Sequence, residues 1–204
     1  MAEPRIEKFV VGPLSTNCYV LYKGESAVLI DPAFEWQMLS EFIRKNNLEV
    51  KFIINTHTHI DHIAYEDRLG YEVWVHKNEA DFLADKNLNF SYILGLELEV
   101  RPEKIRIIEK EEKIKAGGFS LEIISTPGHS PGGISILCGR YLFSGDVLFY
   151  NSIGRTDIPR GDIVMLEKSV NKLFSLDKDI VVLPGHGPQT TIERERGRNR
   201  LRFL

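Results

Sequence analysis

The segment VKFIINTHTHIDH, residues 50–62, narrows the choice of fold more than any other part of the chain. Its first half is a nearly continuous apolar run, the pattern of a strand covered on both faces. Its second half carries His57, His59 and His62 within six positions, with Asp61 beside the last. A strand buried on both sides needs a packed layer against each face, and a polar cluster just past its C-terminal end lies where α/β architectures keep their chemistry. With 6 histidines and 29 acidic residues in 204 positions, a His-x-His-x-acid-His string arises by chance in about 7 of 10,000 such chains.

The flanking chain reads as layered structure. IEKFVV, NCYVLYKG and ESAVLIDPA, broken at Gly12-Pro13, Gly24 and Pro32, form a meander of hairpins. Trp36, Leu39, Phe42 and Ile43 recur at helical spacing, so residues 36–46 are expected as an amphipathic helix lying on a sheet. A short helix is expected over 61–69, ended by Gly70, then a strand at YEVWVHK. A second helix is expected over 78–86, with Glu79 and Asp81 in its first turn, as the helix dipole prefers. Residues 87–100, with Phe90, Tyr92, Ile93, Leu94 and Leu96, read either as a flap over a site or as an irregular insert that packs on the core. Six more strand candidates follow, KIRIIE, EKIKAGG, FSLEIISTPG, GGISILCG, RYLFSGD and DIVVLPG. The helix among them is marked by Ile163, Leu166, Val170, Leu173 and Phe174, with Asp162 as its N-cap. Each half of the chain runs strands, helix, strand and histidine-bearing loop, without a residue-level repeat.

An apolar content of 43% suffices for a sizeable core, and the length fits one domain over residues 1–204. The 26 basic against 29 acidic side chains leave a formal charge of −3, no field for a polyanion, so nucleic acid is not the expected partner. The mixed charges and proline at the N-terminus do not read as a signal peptide, and no apolar run is long enough to span a membrane; the expected location is the cytoplasm. Cys18 and Cys138 lie far apart in strand-like contexts and read as buried thiols.

Five of the six histidines fall at the ends of apolar runs: His57, His59, His62, His129 in STPGHSPGG, and His186 in VVLPGHGP. His76, after YEVWV, reads as a hydrogen-bonded histidine at a helix start. With Asp61 and with Asp146 of FSGD, the chain offers five imidazoles and two carboxylates. Zinc takes about four such ligands at about 2.0 to 2.2 Å, and its catalytic sites keep a position open. His57 and His59, two apart on extended backbone, point to one side and suit a shared ion. Asp61 and His62 suit a neighbouring point about 3.5 Å away, the separation of two-metal hydrolytic sites. Asp146, arriving on a separate strand end after Gly145, is the expected bridge.

THTHIDH, the PGH of residues 127–129, the GD of 145–146 and the PGHG of 184–187 together resemble the signature of the metallo-β-lactamase superfamily. The resemblance implies an α+β fold, a four-layer αβ/βα sandwich of two mixed sheets with helices outside. It assigns His57, His59 and His129 to one metal, Asp61, His62 and His186 to a second, and Asp146 to both. The ions expected are two divalent cations, zinc first, with iron or manganese as alternatives. NCYVL at 17–21 and GDVLFYNSIGRTDIPRGD at 145–162 are similar to the glyoxalase II group, which cleaves S-lactoylglutathione. Three departures stand beside this. Ile63, Ala64, Tyr65 and Glu66 follow the motif where two glycines are usual; only seventeen residues follow Gly187, too few for the helical domain that helps glyoxalase II bind glutathione; and SIGRTD is shared with a persulfide dioxygenase branch.

The expected activity is therefore metal-dependent hydrolysis of a small-molecule thioester or related ester by a metal-bridging hydroxide, with Asp61 as the proton-handling residue. Arg155 is the candidate for a substrate carboxylate, its planar fork suiting that group, with an ion pair to Asp157 or Asp162 as the structural alternative. A mononuclear-iron persulfide dioxygenase and a metal-dependent nuclease or phosphodiesterase are the competing activities. The five arginines between Glu193 and Leu204 read as a solvated edge or a contact between subunits of a homo-oligomer.

Overall fold

The computed structural model describes residues 4–199. Strands β1 (Arg5–Val11), β2 (Thr16–Lys23) and β3 (Ser26–Ile30) form the antiparallel meander. Helix α1 (Trp36–Lys45) then crosses over to β4 (Glu49–Ile54), which pairs parallel with β3. The short helix α2 (Ile60–Ile63) follows, and β5 (Val73–His76) and β6 (Ile105–Ile108) extend the sheet in parallel. Its strands lie in chain order, β1 to β6.

The second sheet takes β7 (Lys113–Ala116), β8 (Phe119–Ser125), β9 (Ile134–Cys138) and β10 (Tyr141–Gly145), each antiparallel to the next. A small hairpin of β11 (Leu148–Phe149) and β12 (Ser152–Ile153) leads to helix α3 (Ile163–Phe174). Strand β13 (Val181–Pro184) returns parallel to β10, and β14 (Thr190–Thr191) closes that edge before helix α4 (Ile192–Asn199).

Strict alternation explains why the central strands are apolar on both faces. Cys18 and Val20 of β2, with Ala27 and Leu29 of β3, face α1 and α2, whose Leu39, Ile43, Ile60 and Ile63 complete that cluster. Tyr19, Leu21, Val28 and Ile30 point the other way and pack against Leu121, Ile136 and Phe143 of the second sheet. On the far side, Leu142 and Val182 pack against Leu166, Val170 and Leu173 of α3. The result is the expected α+β sandwich of two mixed sheets between helices. Asp162 caps α3 as expected, accepting from Met165 N at 3.0 Å, and Cys18 and Cys138 are buried free thiols.

Two helices expected from the sequence are replaced by shorter elements. Over 61–69, α2 stops at Ile63 and a 3-10 turn covers Glu66–Leu69, because Tyr65 between them takes a left-handed φ of 65°. The ring of Tyr65 packs edge-on against Phe34 at 6.2 Å. Over 78–86 only the 3-10 turn Ala80–Phe82 forms. There Glu79 is buried rather than facing a helix dipole, its carboxylate accepting hydrogen bonds from elsewhere in the chain. Residues 87–100 pack on the core, as one reading expected, and also line a cavity. Asn89 is buried and bonds to the carbonyls of Leu83 and Leu98, while Phe90, Ile93 and Leu94 line a cavity.

The arginine-rich segment forms α4, on which Glu193 and Arg198 are exposed while Arg194 and Arg196 are half-buried. Arg194 lies over the Tyr150 ring at 4.2 Å, and Arg196 donates to the Leu176 carbonyl at 2.9 Å. The arginines at 200 and 202 lie outside the described residues. No helix among the described residues is long and apolar enough to cross a membrane.

Candidate metal centre

Four strand ends deliver the seven ligand-type side chains to one edge of the sandwich. The loop after β4 carries His57, His59, Asp61 and His62; the loops after β8, β10 and β13 carry His129, Asp146 and His186. Their donor atoms fall into three overlapping groups, His57 with His59 and His129, His57 with His62 and Asp146, and Asp61 with His62 and His186. Within each group the atoms lie within 4.8 Å of one another. Asp146 stands between the two sides: one carboxylate oxygen is 3.5 Å from His129 Nε2 and 3.5 Å from His186 Nε2, and the other is 3.5 Å from His62 Nε2. Asp61 Oδ2 is 3.2 Å from His186 Nε2 and 3.4 Å from His62 Nε2.

The hydrogen bonds behind the cluster decide which ring nitrogen faces it. His129 Nδ1 donates to the Arg155 carbonyl at 2.8 Å, and His186 Nδ1 to the Leu14 carbonyl at 3.1 Å. His62 Nδ1 donates to Asp31 Oδ2 at 2.9 Å. The Thr56 hydroxyl gives its single proton to Asp31 at 2.7 Å, so its 3.2 Å contact with His57 Nδ1 makes that nitrogen the donor. In all four rings the Nδ1 proton is turned outward and Nε2 presents a lone pair to the cluster, the tautomer a metal requires. His59 turns its Nδ1 inward, 3.0 Å from His129 Nε2. His57 Nε2, His62 Nε2 and Asp146 Oδ1 are buried with no hydrogen-bond partner among the described residues. Unpartnered buried polar atoms are costly, and a cation held by this donor set removes that cost. The residues therefore fit a divalent metal centre.

The electrostatics point the same way. Burial, reinforced by the neighbouring imidazoles, lowers the His57 pKa well below the usual histidine range, and burial beside His129 holds His59 at about 3. Burial acts to raise the Asp61 pKa, but the His62 imidazole and the His186 hydrogen bond outweigh it and hold that carboxyl at about 2. Burial likewise opposes charge on His186, yet hydrogen bonds to Asp146 and Asp61 lift it to about 10. The carboxylates thus demand positive charge between them, where a metal would lie.

Several positioning groups lie outside the histidine-bearing motifs, and the sequence reading gave them no part in the site. Asp31 bonds Thr56 N at 2.7 Å as well as His62, and it sits at the end of β3, the same sheet edge as the histidines. Glu79 ties two histidine-bearing loops together: it accepts from Thr58 N at 3.0 Å, Thr58 Oγ1 at 2.8 Å and Gly132 N at 2.7 Å. Thr16 Oγ1 donates to Asp61 at 2.9 Å, and Asn17 Nδ2 holds the Pro184 and Gly187 carbonyls at 2.9 and 2.8 Å. The signal available in the sequence was an acidic or polar residue closing an apolar run. Glycine matters at one position above all: a Cβ on Gly185 would lie 2.2 Å from Asp146 Oδ1 and 2.8 Å from His62 Cε1.

A cavity of about 700 Å³ opens over the cluster, its walls mostly apolar. Arg155 lies on its rim, where its guanidinium makes two hydrogen bonds to Asp157, at 2.8 and 2.9 Å. The ion pair with Asp157 is the alternative the sequence left open.

The model of the metallo-beta-lactamase superfamily matches residues 11–186. The chain belongs to that superfamily. A probable metallo-hydrolase of Bacillus subtilis, YqgX, is 37% identical over 93% of this chain and 93% of its own length. The hydroxyacylglutathione hydrolase GloC of Haemophilus influenzae is 34% identical over 95% of this chain and 96% of its own. Among solved structures, the BLEG-1 B3 metallo-beta-lactamase superposes with a TM-score of 0.90 at 36% identity, covering 97% of this chain and 99% of that one. TTHA1623, in a di-iron-bound form, superposes with a TM-score of 0.85 at 34% identity over 97% and 100% of the two chains. The protein is a metal-dependent hydrolase of the superfamily, whose members bind divalent metals.

Proposed function

We propose that the protein hydrolyses a thioester or related ester of a small molecule, in the manner of the glyoxalase II group. His57, His59, Asp61, His62, His129, Asp146 and His186 hold two divalent ions in this reading, and Asp61 handles the proton of the attacking water. The observation that carries it is the convergence of four outward-protonated imidazoles and two carboxylates under an open cavity. Bound ions of this kind polarise an acyl carbonyl and make hydroxide available near neutral pH, with the pKa of water falling toward about 7.

The chain's own groups do the rest. Asp61 lines the cavity, and the Thr16 hydroxyl bonded to its Oδ2 fixes the carboxylate that orients the water and takes its proton. Phe90, its ring 4.6 Å from His59, shields that imidazole from solvent. Arg155 would meet a substrate carboxylate with its charge already shared with Asp157, which holds its Nε and Nη2.

The thioester class rests on the likeness to a hydroxyacylglutathione hydrolase at 34% identity, while a neighbour named as a B3 metallo-beta-lactamase stands at 36%. The test therefore starts with elemental analysis of protein purified without added metal. The loaded protein is then assayed with S-lactoylglutathione, simple acyl thioesters, nitrocefin and a phosphodiester. Two divalent ions per chain with thioester turnover is the expected result. A preparation holding two zinc ions that cleaves no thioester or ester sinks the reading. One iron per chain, with oxygen consumed on glutathione persulfide, selects the dioxygenase instead.

A further inference from the structure

The walls of the cavity carry information about the substrate that the ligand set does not. On one side stand Phe90, Ile93 and Leu94 of the 87–100 segment; on the other stand Phe149, Tyr150 and Ile153 of the β11–β12 hairpin. Ile93 at 62% exposure and Tyr150 at 40% are large apolar side chains left open to solvent at the mouth. Exposed apolar groups gathered on one concave surface mark a place that a ligand covers.

Charge is scarce on the same walls. Among the described residues, Arg155 is the one Lys or Arg side chain that lines the cavity, and its Nε and Nη2 already hold the Asp157 carboxylate in an ion pair. Glutathione presents two carboxylates, which a selective site would meet with unpaired cations. The cavity offers none among its described residues. Its apolar side walls suit aliphatic or aromatic surface, and its volume of about 700 Å³ is ample for a medium-length acyl group beside the thioester.

We infer that the preferred substrate is a thioester with an apolar acyl group on an uncharged thiol portion, and that the glutathione moiety itself is not recognised. The inference rests on the hydrolase reading above. In the reaction the acyl C–S bond breaks and a C–O bond forms to the oxygen of water. One water proton goes to the departing thiolate and the other stays with the carboxylic acid, so no oxidant or reductant enters. Desolvation of each added methylene on the Phe90 and Phe149 walls is expected to raise kcat/KM about two- to fourfold, the scale of burying one CH2.

The experiment compares acetyl, butyryl, hexanoyl and octanoyl thioesters of N-acetylcysteamine on metal-loaded protein, with S-lactoyl esters of N-acetylcysteamine and of glutathione as a matched pair. A second readout is binding of S-octyl-N-acetylcysteamine, a thioether that cannot be hydrolysed, against S-methylglutathione, by calorimetry. Support is a kcat/KM that climbs with chain length, a glutathione ester no better than its neutral partner, and tighter binding of the octyl thioether. Ile93→Asp, at the open mouth, should flatten the climb. A flat chain-length series, or a glutathione ester favoured tenfold or more, overturns the inference while leaving the hydrolase reading standing. No turnover of any thioester overturns both.

Discussion

Asp31 Oδ2 stands 2.9 Å from Nδ1 of His62, with both side chains buried. The bond fixes the tautomer and the angle of the imidazole whose Nε2 faces both Asp61 and Asp146. Asp31 reaches this place because its backbone takes a left-handed φ of 51° just past the end of β3, a conformation that Asp and Asn tolerate better than most residues.

Asp31→Asn preserves that backbone and the size of the side chain, but it replaces an anionic acceptor. Metal affinity is expected to fall by about 10- to 100-fold, the usual cost of losing an outer carboxylate on a ligating histidine. A chelator-competition titration measures it; an unchanged affinity would contradict the role assigned to Asp31.

Glu79→Gln leaves one carbonyl oxygen where two carboxylate oxygens now serve Thr58 N, Thr58 Oγ1 and Gly132 N. At least one buried donor loses its acceptor, which costs about 1–3 kcal/mol. Thermal melts of the metal-free protein should drop accordingly. Metal uptake should weaken as well, because the bond holds the His129 loop against the His57–His59 loop.

Gly185→Ala tests the closeness of the centre directly. The φ of Gly185 is not in the left-handed region, so the backbone accepts alanine; the clash is with Asp146 Oδ1 at 2.2 Å. The variant should fold, with near-parental far-UV circular dichroism, and bind at least one ion fewer per chain by elemental analysis. Parental metal content would show that Asp146 has room to move.

Glu66 supplies a pH signature independent of the metal. Its carboxyl is buried, Oε2 accepts from Asn55 Nδ2 at 2.9 Å, and Oε1 has no hydrogen-bond partner among the described residues. Burial raises its pKa well above the usual 4.5, with the Asn55 bond working in the opposite direction. The folded chain therefore keeps a proton that the unfolded chain releases, so this group lowers stability as pH rises from the unfolded pKa through the folded one. Glu66→Gln removes the loss. Relative to the parent, its melting temperature should gain little near pH 4 and roughly 2–4 °C at pH 8, the size of a 1 kcal/mol effect in a chain of this length. A gain that is constant with pH would argue against a titrating Glu66.

Much of the architecture could be read from local pattern, since an apolar face is a property of neighbouring residues. The double-sided alternation of β2 and β3, the spacing of Ile163, Leu166, Val170 and Leu173, and the Asp162 cap all depend on side chains a few positions apart. The expected helix over 78–86 failed because Glu79 bonds to Gly132, 53 positions away, and the one over 61–69 because Tyr65 turns left-handed beside Phe34. Neither partner leaves a trace in the local period.

The candidate metal centre divides along the same line. Residue type and motif spacing alone named His57, His59, Asp61, His62, His129, Asp146 and His186, because few side chains can hold a metal and five of the six histidines close apolar runs. Only the tertiary structure decided which nitrogen each ring turns inward, through Asp31, Thr56 and the carbonyls of Leu14 and Arg155. It also decided that apolar walls stand over the centre and that Arg155 pairs with Asp157. Proton direction and cavity shape are set by atoms that meet across the fold, and strand packing brings those atoms together.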